Sequence, residues 1–275
     1  MARERTTPVA EPPQLAAARH VLRDVFGYGE FRPGQAEVIS AVLEGRDTLA
    51  VMPTGGGKSV CYQVPALLEN EGITLVVSPL LALMKDQVDA LHAMGVAAAA
   101  INSSIPIEEQ RGTLADAAEG RLQLLYVAPE RFGNGSFVAA LRGIRVALPA
   151  IDEAHCRPSY RELGSVRQQV GNPPVVALTA TADPRVREDI LLRLQLRDPV
   201  VHVAGFDRPN LRFEVQRASS LKEKSQAIAD ELRALKQESA IVYCGTRKRV
   251  EEVTDFLQRS GVKCARYHAG MEDND

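Results

Sequence analysis

The stretch Leu49-Ala50-Val51-Met52-Pro53-Thr54-Gly55-Gly56-Gly57-Lys58-Ser59 decides the reading of this chain. An apolar run of strand character meets a triple-glycine turn, then Lys-Ser, then a segment of helical character. Glycines let successive backbone N–H groups turn inward onto an anion. The helix N-terminus that follows adds its positive dipole end. In such a cradle Lys58 reaches the β/γ-phosphates of a nucleotide and the Ser59 hydroxyl offers a ligand to Mg²⁺. The strict pattern asks for a glycine where Met52 stands, so on local grounds a ligand-free glycine loop between strand and helix remains the alternative.

Outward from this loop, short apolar runs alternate with helical periodicity. Strands are expected at Thr48–Met52, Thr74–Ser78, Leu122–Val127, Val146–Ile151, Val175–Thr179 and Val200–Val203, with a further buried strand in the Ala-rich Val96–Ala100. Helices are expected at Gln35–Leu43, Leu80–Met94, Ile107–Ala118 and Pro184–Leu194. Strands that read as continuous apolar runs are buried on both faces, and this alternation predicts a parallel, doubly wound α/β sheet. The sequence Gly205-Phe206-Asp207-Arg208-Pro209-Asn210 breaks the rhythm and reads as a linker. A second α/β series follows: strands Leu211–Val215, Ala240–Tyr243 and Val262–Tyr267, and helices Leu221–Leu235 and Arg247–Arg259. The expected organisation is a disordered tail over residues 1–13, a first domain over 14–205 and the N-terminal part of a second over 206–275.

A second constellation closes the fourth of those strands, where Ile151 leads into Asp152-Glu153-Ala154-His155. Adjacent carboxylates at a strand end are what a phosphate cradle needs as a partner, one to hold Mg²⁺ and one to orient or deprotonate the attacking water. Alone, Asp-Glu after a strand is equally a solvated turn; paired with Gly-Lys-Ser upstream it points to phosphoryl transfer. Thr179-Ala180-Thr181 closes another strand, and hydroxyls at that end of a parallel sheet sit where ligands bind. Ser78-Pro79-Leu80 offers a hydroxyl and backbone N–H groups to a phosphodiester.

Bulk properties exclude other classes. A net charge of −2 over 275 residues rules out a globally basic nucleic-acid binder, so any such contact must be local. Apolar runs are too short to span a bilayer, and Met1–Pro13 lacks the apolar core of a secretory signal. Cys61, Cys156, Cys244 and Cys264 form no Cys-x-x-Cys pair, so no structural zinc site is expected, and their scatter fits a reducing cytosol.

With these residues in place, the chain resembles the superfamily 2 helicases, and closely the RecQ family of DNA helicases. The resemblance runs from about Val21 to the end. Phe26 to Gln35 resembles the adenine-reading motif zero, and Met52 to Ser59 resembles motif I, in which a non-glycine first position is normal. Ser78 to Gln87 resembles motif Ia, Tyr126 to Arg131 motif Ib, Asp152 to His155 the DEAH form of motif II, and Thr179 to Thr181 motif III. Tyr243 to Arg247 and Tyr267 to Gly270 resemble motif IV and the segment after it. The resemblance implies a RecA-like parallel sheet flanked by helices, followed by a second, incomplete RecA-like domain.

It further implies ATP and Mg²⁺ as cofactors. Tyr28, Arg32 and Gln35 would hold the adenine side, Thr54, Gly55, Gly56, Gly57, Lys58 and Ser59 the phosphates, and Ser59 with Asp152 the metal. Lys58, Asp152, Glu153 and His155 would be catalytic, and Ser78, Lys85, Gly245 and Thr246 would contact DNA. The physics of the first group is readable: an aromatic such as Tyr28 stacks on a base, and a glutamine pairs bidentately with adenine. The implied activity is ATP-dependent 3′ to 5′ translocation on single-stranded DNA with duplex unwinding in repair and recombination. The implied setting is a cytosolic monomer meeting single-stranded and partly duplex DNA and a single-strand-binding protein, with no membrane.

Two departures bear on this. RecQ-like chains carry a tryptophan-containing aromatic loop after the DEAH-Cys segment, whereas here Cys156 runs directly into Arg157-Pro158-Ser159-Tyr160 and the chain has no tryptophan. Motifs V and VI, with the expected arginine finger, have no counterpart. One reading is a reduced relative. The other, a chain lacking a mobile loop and tail, implies a break between Cys156 and Arg157. Two rival functions follow: an ATP- and DNA-binding module or helicase fragment impaired in catalysis, and an RNA helicase of the same superfamily.

Overall fold

The computed structural model describes residues 12–69, 71–155, 163–205, 211–235 and 238–271. The chain divides into two units, Met1–Asp207 and Arg208–Asp275. The junction between Cys156 and Arg157 lies outside the described residues.

The first unit opens with helix α1 (Pro13–Asp24), whose Pro13 sits at the first helical turn, where a missing N–H costs nothing. The expected tail over 1–13 is therefore corrected at its end. Helix α2 (Gln35–Leu43) leads to strand β1 (Thr48–Val51), then α3 (Val60–Leu68), β2 (Ile73–Val77), α4 (Leu81–Ala93), β3 (Ala98–Ile101), α5 (Ile107–Ala118) and β4 (Leu124–Val127). A short 3₁₀ turn over Pro129–Gly133, α6 (Gly135–Leu141), β5 (Val146–Ile151), α7 (Leu163–Gln169), β6 (Val176–Thr179), α8 (Pro184–Arg193) and β7 (Val200–Val203) complete it. The sequence pattern misses α1, α6, α7 and the 3₁₀ turn. All but the first are seven residues or fewer, two helical turns or less, too short to show a clear 3.6-residue period.

All seven strands are parallel, in the order β3-β4-β2-β5-β6-β1-β7. Successive strand residues face opposite sides. Leu49 and Val51 join Leu75, Val77, Leu125 and Val127 in one core, covered by Phe132, Phe137, Leu141 and Ile190. Ala50 and Met52 join Val76, Tyr126 and Leu178 in the other, covered by Leu22, Ile39, Tyr62, Met84 and Leu91 of α1 to α4. A sheet buried on both faces explains the unbroken apolar runs. The order sets the C-terminal ends of β2, β5, β6 and β1 side by side, and the segments that resemble motifs I, Ia, II and III follow those four ends.

The opposite, N-terminal rim is locked by a buried ion pair. Asp47, just before β1, meets Arg167 of α7 in a bidentate contact, Nη2 to Oδ1 at 2.7 Å and Nη1 to Oδ2 at 2.9 Å, with both side chains 4% exposed or less. Asp47 also accepts from the N–H of Val175 at 2.9 Å and of Arg197 at 2.6 Å. Arg167 donates further to the carbonyls of Pro173 and Gln195. One carboxylate thus ties together the approaches to β1, β6 and β7.

The second unit corrects the sequence expectation. Its helices α9 (Leu221–Ala234) and α10 (Arg247–Arg259) are present and capped by Ser220 and Thr246. The expected strands Leu211–Val215, Ala240–Tyr243 and Val262–Tyr267 form no ladder among the described residues. The helices bury only a small cluster around Ala229, Val253 and Leu257. Val215 and Tyr243 stand more than nine-tenths exposed. A strand needs a ladder partner as well as a covered face; Val262 and Cys264 pack against the helix cluster, but none of these segments has a ladder partner among the described residues, so alternation in sequence does not become a sheet.

Candidate nucleotide site

The loop after β1 folds as a tight turn in which the Gly56 N–H donates to the Pro53 carbonyl at 2.9 Å. Gly55 and Gly57 take φ of +80° and +74°, the left-handed region where a side chain is penalised. A Cβ at position 56 would stand 2.8 Å from the Pro53 carbonyl oxygen. Gly56→Ala is therefore expected to open the turn and weaken nucleotide binding by about tenfold or more, as read by titration with a fluorescent ATP analogue. Unchanged affinity would show that this turn is not the binding conformation.

Lys58 projects beside the second motif, its Nζ 3.7 Å from Glu153 Oε1, with the two side chains 12% and 22% exposed. Asp152 follows the end of β5 and hangs its N–H on the Val77 carbonyl of β2. In a continuing strand Asp152 and Glu153 would point to opposite faces. Glu153 breaks that alternation with a φ of +50°, a left-handed conformation that costs on the order of 1 kcal/mol for a residue with a Cβ. The kink lets both carboxylates line one cavity of about 340 Å³ together with Tyr28, Arg32, Gln35, Thr54, Gly55, Gly57, Lys58 and Ser59. Glu30 and Leu83 also line it; both lie inside the quoted motifs, but neither has a chemical signature that singles it out.

His155 sits on the far side of Glu153, its Nδ1 2.9 Å from Thr179 Oγ1 and 3.3 Å from Glu153 Oε2. The Thr179 hydroxyl donates to the Thr181 carbonyl at 3.0 Å, leaving its oxygen to accept from Nδ1–H. The ends of β5 and β6 are thereby joined through side chains.

Burial raises the Asp152 carboxyl from 3.8 to about 6, with Glu153 adding to the rise and Lys58 opposing it. The sign of the consequence follows. The folded carboxyl keeps its proton up to about 6 and the unfolded one releases it at 3.8, so stability falls as pH rises through that window. Asp152→Asn is expected to raise the melting temperature of the nucleotide-free protein above about pH 7, with the gain gone below about pH 4. The same change is expected to remove Mg²⁺-dependent hydrolysis. A variant no more stable than the parent at neutral pH would overturn this account.

The donor set suits Mg²⁺. Ser59 lines the same cavity as Asp152 and Glu153, so a hydroxyl and two carboxylates are offered together. Among the described residues no cluster of three His, Cys, Asp or Glu side chains forms an all-protein cage. Mg²⁺ asks for none, since it prefers one or two protein oxygens with water and phosphate filling the rest.

Some expected contacts are placed differently. Gln35 is 3% exposed and both ends of its amide are occupied. Its Oε1 accepts from the Arg32 N–H at 2.8 Å, and its Nε2 donates to the Gly57 carbonyl at 2.9 Å and the Gly56 carbonyl at 3.3 Å. Arg32 donates through Nη1 to the Gly55 carbonyl. Pairing of Gln35 with adenine therefore requires these bonds to be exchanged, whereas Tyr28, half exposed, and Arg32 are open to solvent. Ser78 is 2% exposed, its N–H is bonded to the Val127 carbonyl across the sheet, and its hydroxyl has no protein partner, so contact with a phosphodiester would require the β2–α4 junction to open. Lys85 is fully exposed on α4 and pairs with Asp89 at 2.5 Å. Gly245 and Thr246 lie in the second unit, where Thr246 accepts from the Arg249 N–H at 3.2 Å and caps α10.

A parallel α/β sheet with a glycine cradle ending β1 and a kinked carboxylate pair ending β5 defines a P-loop nucleotide-binding protein. Residues 32–190 match the DEAD/DEAH box helicase family, and the chain belongs to that family as a helicase core of RecQ type. It is 45% identical over 266 residues to the ATP-dependent DNA helicase RecQ of Haemophilus influenzae, covering 93% of this chain and 42% of that protein. Against the ATP-dependent DNA helicase RecQ of Bacillus subtilis it is 43% identical over 270 residues, covering 94% and 45%. The chain thus spans less than half the length of these relatives. In fold it is similar to Mycobacterium smegmatis helicase Lhr, solved with ssDNA and AMP-PNP, at a TM-score of 0.67 and 20% identity, covering 94% of this chain and 38% of that one. Among the described residues no helix is long and apolar enough to cross a membrane.

Proposed function

We propose that this chain is the nucleotide-hydrolysing core of an ATP-dependent DNA helicase that translocates 3′ to 5′ on single-stranded DNA and opens duplexes during repair and recombination. The observation that carries it is the convergence of Lys58, Ser59, Asp152 and Glu153 on one cavity at the ends of β1 and β5. The names of the RecQ relatives supply the DNA and ATP dependence.

Lys58 neutralises the β/γ-phosphates from beneath, and the turn amides over Thr54 to Gly57 cradle them. Ser59 and Asp152 hold Mg²⁺, which when bound draws charge from the phosphate oxygens. Glu153, released from Lys58 when phosphate takes the ammonium, orients or deprotonates the attacking water. Tyr28 and Arg32 flank the base. His155 and Thr179 report the state of Glu153 to β6. DNA would be contacted by Lys85 on α4 in the first unit and by Gly245 and Thr246 in the second. The protein would act in the cytosol, as a monomer, alongside a single-strand-binding protein.

The test is ATP hydrolysis with and without single-stranded DNA, with RNA as the rival activator. Stimulation by DNA and not RNA supports the proposal. The lack of a strand ladder among the described residues of 211–235 and 238–271 favours one alternative, an ATP- and DNA-binding module impaired in turnover. ATP binding without DNA-stimulated turnover would select it.

A further inference from the structure

We propose that Tyr62, Gln63 and Tyr126 form a buried polar bridge that couples nucleotide occupancy at Ser59 to the position of helix α4. The inference deepens the reading above and rests on it, because α4 carries Lys85 and follows the Ser78-Pro79-Leu80 segment.

The geometry is continuous from the cradle to the helix. Gln63 lies one turn into α3, directly after the phosphate loop, and its N–H is bonded to the Ser59 carbonyl at 2.9 Å. Its side-chain Nε2 spends both protons, one on Gln87 Oε1 of α4 at 2.9 Å and one on the Tyr126 hydroxyl at 3.1 Å. The Tyr126 ring packs edge-on to Tyr62 with centroids 6.4 Å apart, and both rings are 1% exposed. Tyr62, like Gln63, stands in the first turn of α3, and its N–H is bonded to the Ser59 carbonyl at 3.2 Å. Apolar side chains of the same volume would pack a core at this place at least as well, so a polar chain from cradle to α4 calls for a reason other than packing.

The bridging residues are positioning residues and touch no substrate. The test uses the full chain with Mg²⁺ and AMP-PNP, following hydrogen exchange over residues 81–93 by mass spectrometry in the parent, in Tyr126→Phe and in Gln63→Met. In the parent, AMP-PNP is expected to slow exchange in α4 by about fivefold or more, the scale of an ordinary coupling energy. In both variants the change is expected to shrink below about twofold, with AMP-PNP affinity retained, and the DNA-to-basal ratio of ATP hydrolysis is expected to fall in step. Should the core variants fold poorly, Gln87→Leu breaks the same link from the half-exposed α4 side and is read in the same way. Variants that bind AMP-PNP and keep the parental response at α4 overturn the bridge alone. So does a parent that binds AMP-PNP with no response at α4. A parent that fails to bind AMP-PNP overturns the nucleotide reading itself, and the bridge with it.

Discussion

Lys58→Ala is expected to abolish ATP hydrolysis while leaving the fold in place. The ammonium stands at the floor of the cavity, 12% exposed and 3.7 Å from Glu153. Phosphoryl transfer is positioning plus charge stabilisation. Loss of one preorganised group at the developing charge lowers turnover by about 100- to 1000-fold. Loss of Lys58 also removes a positive charge that favours the charged form of Asp152, so that carboxyl rises further and holds metal less well. Stability should change little, because the carboxylates it leaves behind line a solvent-open cavity and Asp152 can take up a proton. Lys58→Arg is not expected to rescue, since a planar fork cannot replace a point charge in this turn. Single-turnover hydrolysis and thermal melting read the two halves of the expectation. Hydrolysis above about a tenth of the parent's would remove the cradle assignment.

Asp47→Ala is expected to have the largest effect on stability. The change strands the Arg167 guanidinium in a site 4% exposed and orphans the Val175 and Arg197 N–H groups. Removing one partner of a buried pair costs about 3–5 kcal/mol, which for a unit of this size lowers the melting temperature by roughly 6–20 °C. Arg167→Met should cost less, because Asp47 keeps its two backbone donors. Pairing Asp47→Leu with Arg167→Met should recover only part, since those N–H groups stay unsatisfied. Urea denaturation of the four proteins orders them. A loss within about 1 kcal/mol for Asp47→Ala would mean water or rearrangement satisfies the arginine.

The rim pair also shows why some of the molecule is illegible in sequence. Asp47 and Arg167 are 120 residues apart, and neither lies in a pattern that announces a partner. The helix α7 that presents Arg167 is seven residues long, too short for periodicity to show. Gln35 and Ser78 stand where the motifs put them, yet their side chains are engaged by carbonyls 21 and 22 residues away in one case and turned into the core in the other. Segments 211–215, 240–243 and 262–267 have the alternation of strands and remain unpaired.

What the sequence by itself determined is local and chemical. The glycines, Lys58 and Ser59 make a phosphate loop because only that order combines inward amides, a helix start and a cation. Asp152 to His155 mark a strand end, and continuous apolar runs require burial on both faces of a parallel sheet. Tertiary structure decided which of those groups meet. Strand order set β1, β6 and β5 side by side, the left-handed turn at Glu153 brought two successive carboxylates into one cavity, and packing chose which polar side chains face solvent. Those outcomes depend on contacts between residues distant in the chain, whose energies no local pattern of residue types encodes.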